Sequence, residues 1–113
     1  MRWANHVWCG ITALLVFMAG PVESAMAQGL SPAAQRGQTL VTANCAVCHA
    51  TDKVSQSPLK IAPPFRTLHL KYPIETLRQP LREGVITSHP TMPVFRLDPG
   101  QVEDIVAFLK TLE

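Results

Sequence analysis

Aromatic residues, cysteines and clusters of charge are all scarce in this chain. It has one tyrosine, two tryptophans and three cysteines among 113 residues, and its formal net charge is only +2. Lysine and arginine form no basic run and no internal repeat occurs, so the features that indicate a nucleic-acid-binding protein are missing. Beyond the N-terminal region, no apolar run approaches the roughly 20 residues of a membrane span. A domain this small buries a modest fraction of its surface and usually needs a covalent or metal staple.

Residues 1–27 have the organisation of an export signal. Arg2 supplies a positively charged start, an apolar stretch covers residues 7–19, and Ala25-Met26-Ala27 forms an A-x-A cleavage site. The apolar stretch is too short for a comfortable transmembrane helix, which leaves an uncleaved anchor as the less favoured alternative. We predict cleavage after Ala27, a mature domain of residues 28–113 and a periplasmic location. Cleavage would remove Cys9, both tryptophans and three of the four methionines, and the net charge would stay at +2.

One pentapeptide, Cys45-Ala46-Val47-Cys48-His49, carries the chemistry of the remaining chain. Two thiols three positions apart can each form a thioether to a vinyl group of one haem, and the histidine that follows can then ligate the iron. A thioredoxin-like redox pair would need a βαβ pattern around it, and a zinc site would need a second pair of ligands. The sequence has neither. We therefore interpret Cys45 and Cys48 as the attachment points of one covalent haem c, and His49 as an iron ligand.

Two helices are predicted from their capping residues and their apolar spacing. Ser31-Pro32 places a capping serine before a proline at the first helical position, and small or apolar residues then recur on one helical face as far as Cys45. Asp98-Pro99 repeats this start near the C-terminus, with Gln101 placed to complete a capping box. Gly37 lies on the apolar face of the first helix, where glycine costs about 1 kcal/mol relative to alanine. We expect it to allow the close approach of the C-terminal helix.

The segments between these helices are predicted to be mostly irregular. Residues 50–64 lack a helical period, and so long a loop in a small domain is uncommon unless it wraps something. Residues 73–83 have helical spacing, but Pro80 should divide them into two short pieces that end at Gly84. Residues 85–97 again have no period.

Met92 is the candidate for a second iron ligand. It is the only methionine in residues 28–113, and it lies in a proline-flanked segment rather than on a helical face. A thioether is a good ligand for haem iron, and His/Met ligation raises the reduction potential. One alternative is a methionine that fills a gap in the core. The other is ligation by His89, three residues earlier in the same loop, whereas His69 is expected at the surface.

In these features the chain resembles the class I cytochromes c, which are small monohaem proteins. The resemblance rests on the pentapeptide, on Pro63-Pro64-Phe65, on His89-Pro90-Thr91-Met92-Pro93 and on apolar residues of the last helix. It implies an all-α cytochrome c fold of three to five helices around one haem, with the first and last helices crossing. The crossing is expected near Gly37 and Phe108.

The resemblance also implies details of the haem surroundings. The carbonyl of Pro63 is expected to accept a hydrogen bond from the ring N–H of His49, and Phe65 follows where the loop could cover the haem edge. The mature chain lacks the tryptophan that some relatives use at a haem propionate. The candidates that remain open as propionate partners are Tyr72, Arg66, Arg78 and Lys71.

One-electron transfer by a periplasmic carrier is the expected function, and no catalytic residues are expected. Iron held by two protein ligands has no open position for a substrate. The expected partners are redox proteins, a dehydrogenase or reductase as donor and an oxidase or reductase as acceptor, held through a small and weak interface. The chain is expected to be a monomer that binds no nucleic acid. The alternatives are a haem c subunit of a dehydrogenase complex, or a haem enzyme or gas sensor with a labile sixth ligand.

Overall fold

A computed structural model describes residues 29–84 and 91–113, and within them every regular element is helical. The α-helices are α1 (Pro32–Asn44), α2 (Arg78–Glu83) and α3 (Pro99–Lys110). Two 3-10 helices lie between α1 and α2, the first at Phe65–Leu70 and the second at Ile74–Leu77. The all-α prediction is therefore confirmed. The export signal of residues 1–27, together with His89 and Pro90, lies outside the described residues.

Helix α1 begins where its capping residues predict. The hydroxyl oxygen of Ser31 accepts a hydrogen bond from the backbone N–H of Ala34 at 3.2 Å, and Pro32 occupies the first helical position. Ala34, Gly37 and Val41 recur at the spacing of one face and are all buried. The sequence thus determines both the start of α1 and the face that it turns to the core.

The crossing of α1 and α3 depends on Gly37. A Cβ atom built on Gly37 would lie 1.9 Å from the backbone oxygen of Asp104 and 2.9 Å from Cβ of Phe108, which is too close for any side chain. The two helix backbones therefore touch at this point. The predicted close approach near Gly37 and Phe108 is confirmed.

Helix α3 supplies half of the described core. Asp98 and Gln101 form the predicted capping box, in which the backbone N–H of Asp98 donates to Oε1 of Gln101 at 3.1 Å. Val102 and Val106 have at most 1 % of their surface exposed and pack with Val41 of α1 and with Ile74 of the second 3-10 helix. The hydrophobic contacts of α3 with the other elements are thus its main contribution to stability.

Ion pairs at the surface join neighbouring elements to α3. In the described part of the chain they are Arg36–Asp104, Arg78–Glu103 and Lys110–Glu75. The guanidinium of Arg36 holds both carboxylate oxygens of Asp104, at 2.7 and 2.8 Å, and this contact lowers the pKa of Asp104. Exposed pairs of this kind stabilise a fold weakly, and among these carboxylates only that of Asp104, with a side chain 13 % exposed, is largely withdrawn from solvent.

The middle of the chain differs from the prediction in two places. The division within residues 73–83 is present, but it lies between Leu77 and Arg78, before Pro80. Pro80 is the third residue of α2, within the first turn, where an N–H has no intrahelical acceptor, so its ring costs little there. The 3-10 helix at Phe65–Leu70 was not predicted, because its residues show no helical period; Pro64 begins it, and the hydroxyl of Thr67 donates to the Pro64 carbonyl at 2.8 Å.

Among the helices of residues 29–84 and 91–113, none is both long and apolar enough to cross a membrane.

Candidate haem site

The Cys45–His49 pentapeptide forms tight turns that continue directly from α1. The backbone N–H of Cys45 donates to the carbonyl of Val41 at 2.8 Å, and the N–H of His49 donates to the carbonyl of Cys45 at 2.9 Å. Both Cys45 and Cys48 are free thiols and half-buried. Burial raises the pKa of the Cys45 thiol to about 11, so this sulfur is protonated at neutral pH when no thioether has formed.

His49 has a defined tautomer. Its Nδ1 lies 2.8 Å from the carbonyl oxygen of Pro63, and since a carbonyl can only accept, Nδ1 must carry the proton and donate. The expected hydrogen bond between these residues is therefore present. The Phe65 ring lies against the imidazole, with ring centroids 4.7 Å apart and planes inclined by 34°. Together these contacts fix the ring orientation and leave the Nε2 lone pair available to a metal.

The loop of residues 50–64 folds back onto the pentapeptide. Its ends are joined by a hydrogen bond from the N–H of Phe65 to the carbonyl of Ala50 at 2.9 Å. In its middle, the N–H of Leu59 donates to the carbonyl of Cys48 at 3.1 Å. The loop is thereby held beside the two cysteines.

Met92 lies in the same region, although it comes from a segment far along the chain. The segment that carries it is attached to α2 by a hydrogen bond from the N–H of Leu97 to the carbonyl of Leu81 at 3.2 Å. Gly84, at the end of α2, has φ +99°, and a Cβ there would lie 2.8 Å from Cγ1 of Val94. Only glycine allows the chain to leave α2 in this direction. Met92 is half-buried.

Two adjoining cavities, of about 370 Å³ and 140 Å³, lie between these elements. All the residues predicted as haem contacts line the smaller one: Cys45, Cys48, His49, Pro63, Phe65 and Met92. The residues common to both cavities are Asn44, Cys45, His49, Pro63, Phe65, Met92 and Phe95. The predicted site residues, which are spread over 48 positions of sequence from Cys45 to Met92, are thus brought to one crevice.

The walls of the larger cavity are mostly apolar. They are built by the described residues Leu40, Val41, Leu68, Leu77, Leu81, Leu97, Ile105 and Leu109, among others. An apolar crevice of this size, with a few polar groups at one side, suits a flat hydrophobic ligand. The helical spacing of Leu77 with Leu81, and of Ile105 with Leu109, could have identified these residues, but their pattern alone does not separate a cofactor contact from ordinary core.

The family model for cytochrome c matches residues 34–113, which is well over half of the chain. The chain belongs to the cytochrome c family. Haem c, bound covalently, is therefore its cofactor, and Cys45, Cys48 and His49 form the C-x-x-C-H attachment motif. No curated protein and no solved structure matches the chain significantly.

The residues of the crevice fit this group. Two free thiols and an imidazole with one unused nitrogen lie beside an apolar cavity, and these are the donors and the surroundings that a covalently attached, hydrophobic macrocycle requires. In this cytochrome c the function is haem-based electron transfer, in agreement with its family.

Phe95 and Asn44 line both cavities but were not predicted as site residues. Asn44 is the last residue of α1, and its side-chain amide donates to the carbonyl of Leu40 at 2.8 Å, so its place in the crevice follows from the end of that helix. His69 is exposed, as expected.

Proposed function

We propose that this cytochrome c is a periplasmic one-electron carrier whose haem iron is ligated by His49 and Met92. The observation that carries the proposal is that both side chains line both of the adjoining cavities. They come from segments that are far apart in the sequence, His49 from the turn after α1 and Met92 from the segment that leads into α3. Two such side chains at one crevice would be able to hold the same haem iron.

Nitrogen and sulfur are suited to these positions for different reasons. The hydrogen bond from Nδ1 of His49 to Pro63 holds the imidazole and makes Nε2 a stronger donor. Met92 offers a soft thioether, and Pro93 behind it restricts the backbone that presents the sulfur. The bound group supplies one-electron chemistry at its iron, and the pair of ligands would favour a relatively high reduction potential.

The smaller cavity has an apolar rim that suits a weakly bound redox partner. Val47 is 79 % exposed and Ile61 61 % exposed, yet both line this cavity, together with Leu59. Within the described residues its lining contains no lysine, arginine, aspartate or glutamate. A redox partner with an apolar contact surface could therefore approach the haem edge here without desolvating a charge, and leave again quickly.

A periplasmic location is supported by the organisation of residues 1–27, with the cleavage site at Ala25-Met26-Ala27. Covalent haem attachment outside the cytoplasm agrees with it. Sequencing the N-terminus of the protein recovered from a periplasmic fraction tests this part of the proposal. A first residue other than Gln28 would place the cleavage elsewhere.

Visible spectroscopy tests the ligand set. The oxidised protein should show the weak red band of sulfur-to-iron charge transfer, and the reduced protein should not bind carbon monoxide readily. Met92→Ala should abolish the band, allow carbon monoxide to bind and lower the reduction potential. Val94→Ala, on the same segment and 61 % exposed, is the matched control and should leave all three properties unchanged.

The outcomes separate the alternatives. An unchanged spectrum in Met92→Ala would exclude Met92 as a ligand and direct attention to His89. Rapid carbon monoxide binding by the wild-type protein would favour an enzyme or gas sensor. Co-purification with a larger catalytic protein, followed by loss of that contact in Ile61→Lys but not in Val54→Lys, would favour a subunit of a dehydrogenase complex that docks through the apolar rim.

A further inference from the structure

The described residues of the crevice offer few polar partners to the carboxylates of the haem, and this limits where the carboxylates can lie. Among the described residues that line the two cavities, Lys71 is the only lysine, arginine, aspartate or glutamate. Tyr72 lines the larger cavity beside it. A carboxylate placed against the leucine and isoleucine side chains of the other walls would lose its hydration without a compensating partner, at a large cost in free energy.

The side chains of Lys71 and Tyr72 are both partly in solvent, where they can meet a haem carboxylate. They follow the first 3-10 helix, where their backbone N–H groups donate to the carbonyl of Leu68 at 2.9 and 3.3 Å, so the turn brings them together at one end of the crevice. The Tyr72 side chain is 39 % exposed and Lys71 is exposed. Within residues 29–84 and 91–113, neither the Lys71 amine nor the Tyr72 hydroxyl has a hydrogen-bond partner.

The two arginines that compete for this role are engaged elsewhere. The Arg66 guanidinium donates to the carbonyl of Ser55, and the Arg78 guanidinium donates to both carboxylate oxygens of Glu103, at 2.9 and 3.1 Å. Neither arginine is among the residues that line the two cavities. Moving either of them to the crevice would break these contacts.

We propose that Lys71 and Tyr72 form the haem carboxylate site of this protein, the amine as counter-ion and the phenol as hydrogen-bond donor. The proposal rests on the haem attachment at Cys45, Cys48 and His49 described above. It assigns Lys71 a second effect, because a positive charge near the iron raises the energy of the more positively charged ferric state and so raises the reduction potential.

A set of single variants of the haem-loaded protein tests this. Lys71→Gln should lower the reduction potential measured at neutral pH. A plot of the potential against pH changes slope at the pKa of the haem carboxylate, and the pH of this change should rise by about one unit, which is a tenfold change in the acid dissociation constant. Lys71→Arg should restore both values. Tyr72→Phe removes only the hydroxyl and should raise the pH of the same slope change by a smaller amount.

Lys53→Gln is the control, because it removes the same charge from the exposed loop of residues 50–64. It should leave the pH at which the potential changes slope at its wild-type value. If Lys71→Gln behaves like Lys53→Gln, the assignment of Lys71 is wrong. If wild-type protein carries no covalent haem, as shown by its intact mass, the haem attachment itself fails instead, so the two failures are distinguishable. In the haem-loaded protein the two cysteines of the crevice are thioethers and His49 is an iron ligand, and all three are the same in every variant.

Discussion

Substitution of Gly37 by alanine tests the packing on which the fold depends. The new Cβ would lie 1.9 Å from the backbone oxygen and 2.5 Å from the carbonyl carbon of Asp104, whereas ordinary contact begins at 3.4 Å. These atoms belong to the backbone of α3, so no side-chain rotation can relieve the clash. The two helices would have to move apart by about 1.5 Å in an interior that is packed as densely as a crystal.

The expected loss follows from two opposing effects. Overpacking costs roughly 1 to 3 kcal/mol, and contact with backbone places Gly37→Ala at about 3 kcal/mol. Alanine gains about 1 kcal/mol over glycine in helix propensity. The net destabilisation should be about 2 kcal/mol, which for a domain of this size lowers the melting temperature by about 10 °C.

Chemical and thermal denaturation of the haem-loaded protein, followed by far-ultraviolet circular dichroism, measures this loss. Gly100→Ala is the matched control, because Gly100 lies in the first turn of α3 and a Cβ there meets nothing within 4 Å. It should leave stability unchanged or raise it by up to about 1 kcal/mol. A Gly37→Ala protein as stable as wild type would refute the proposed helix contact.

Three further comparisons test other contacts. The Ser55 hydroxyl and the amides of Ser55 and Val54 lower the pKa of Asp52 from 3.8 to about 2, so its carboxylate stabilises the fold fully above about pH 4 and progressively less as the pH falls through 2. Asp52→Asn should therefore be less stable than wild type at neutral pH by urea denaturation, with the difference vanishing in acid; a constant difference would contradict this. Arg36→Gln should destabilise more than Arg78→Gln in the same assay, because the side chain of Asp104 is only 13 % exposed while that of Glu103 is 59 % exposed, and equal effects would show that burial of the partner is unimportant. Cys45→Ala combined with Cys48→Ala should eliminate covalent haem in mass spectrometry, and haem that stays covalent would contradict the attachment.

The ends of the two long helices could be predicted because their causes are local. Ser31 caps α1 through Ala34, three residues away, and Asp98 with Gln101 does the same for α3. Pro80 was correctly expected to accompany a division of residues 73–83, but its place within the first turn of α2 was not. A proline within a helical spacing indicates that the helix is interrupted, but it does not show at which residue the next helix starts.

Other features depend on contacts between segments that are distant in sequence. The first 3-10 helix, at Phe65–Leu70, is held by the Phe65–Ala50 hydrogen bond and by its packing in the core, neither of which leaves a periodic pattern. Likewise, the sequence offers four equivalent candidates for binding the haem carboxylates: Tyr72, Arg66, Arg78 and Lys71. Only the folded chain separates them, because it pairs Arg78 with Glu103 of α3 and leaves Lys71 at the crevice.

The sequence by itself determined the cofactor chemistry, since a C-x-x-C-H motif is a property of five consecutive residues. It also determined the helix starts and the glycine that permits a close crossing, because caps, prolines and a missing side chain act within one or two turns. The tertiary structure decided which ring nitrogen of His49 is free, through a carbonyl 14 residues away, and how Met92 comes to share a cavity with it. These outcomes depend on how the loop of residues 50–64 folds back on the pentapeptide and how the segment before α3 is attached to α2, through contacts between residues far apart in the chain.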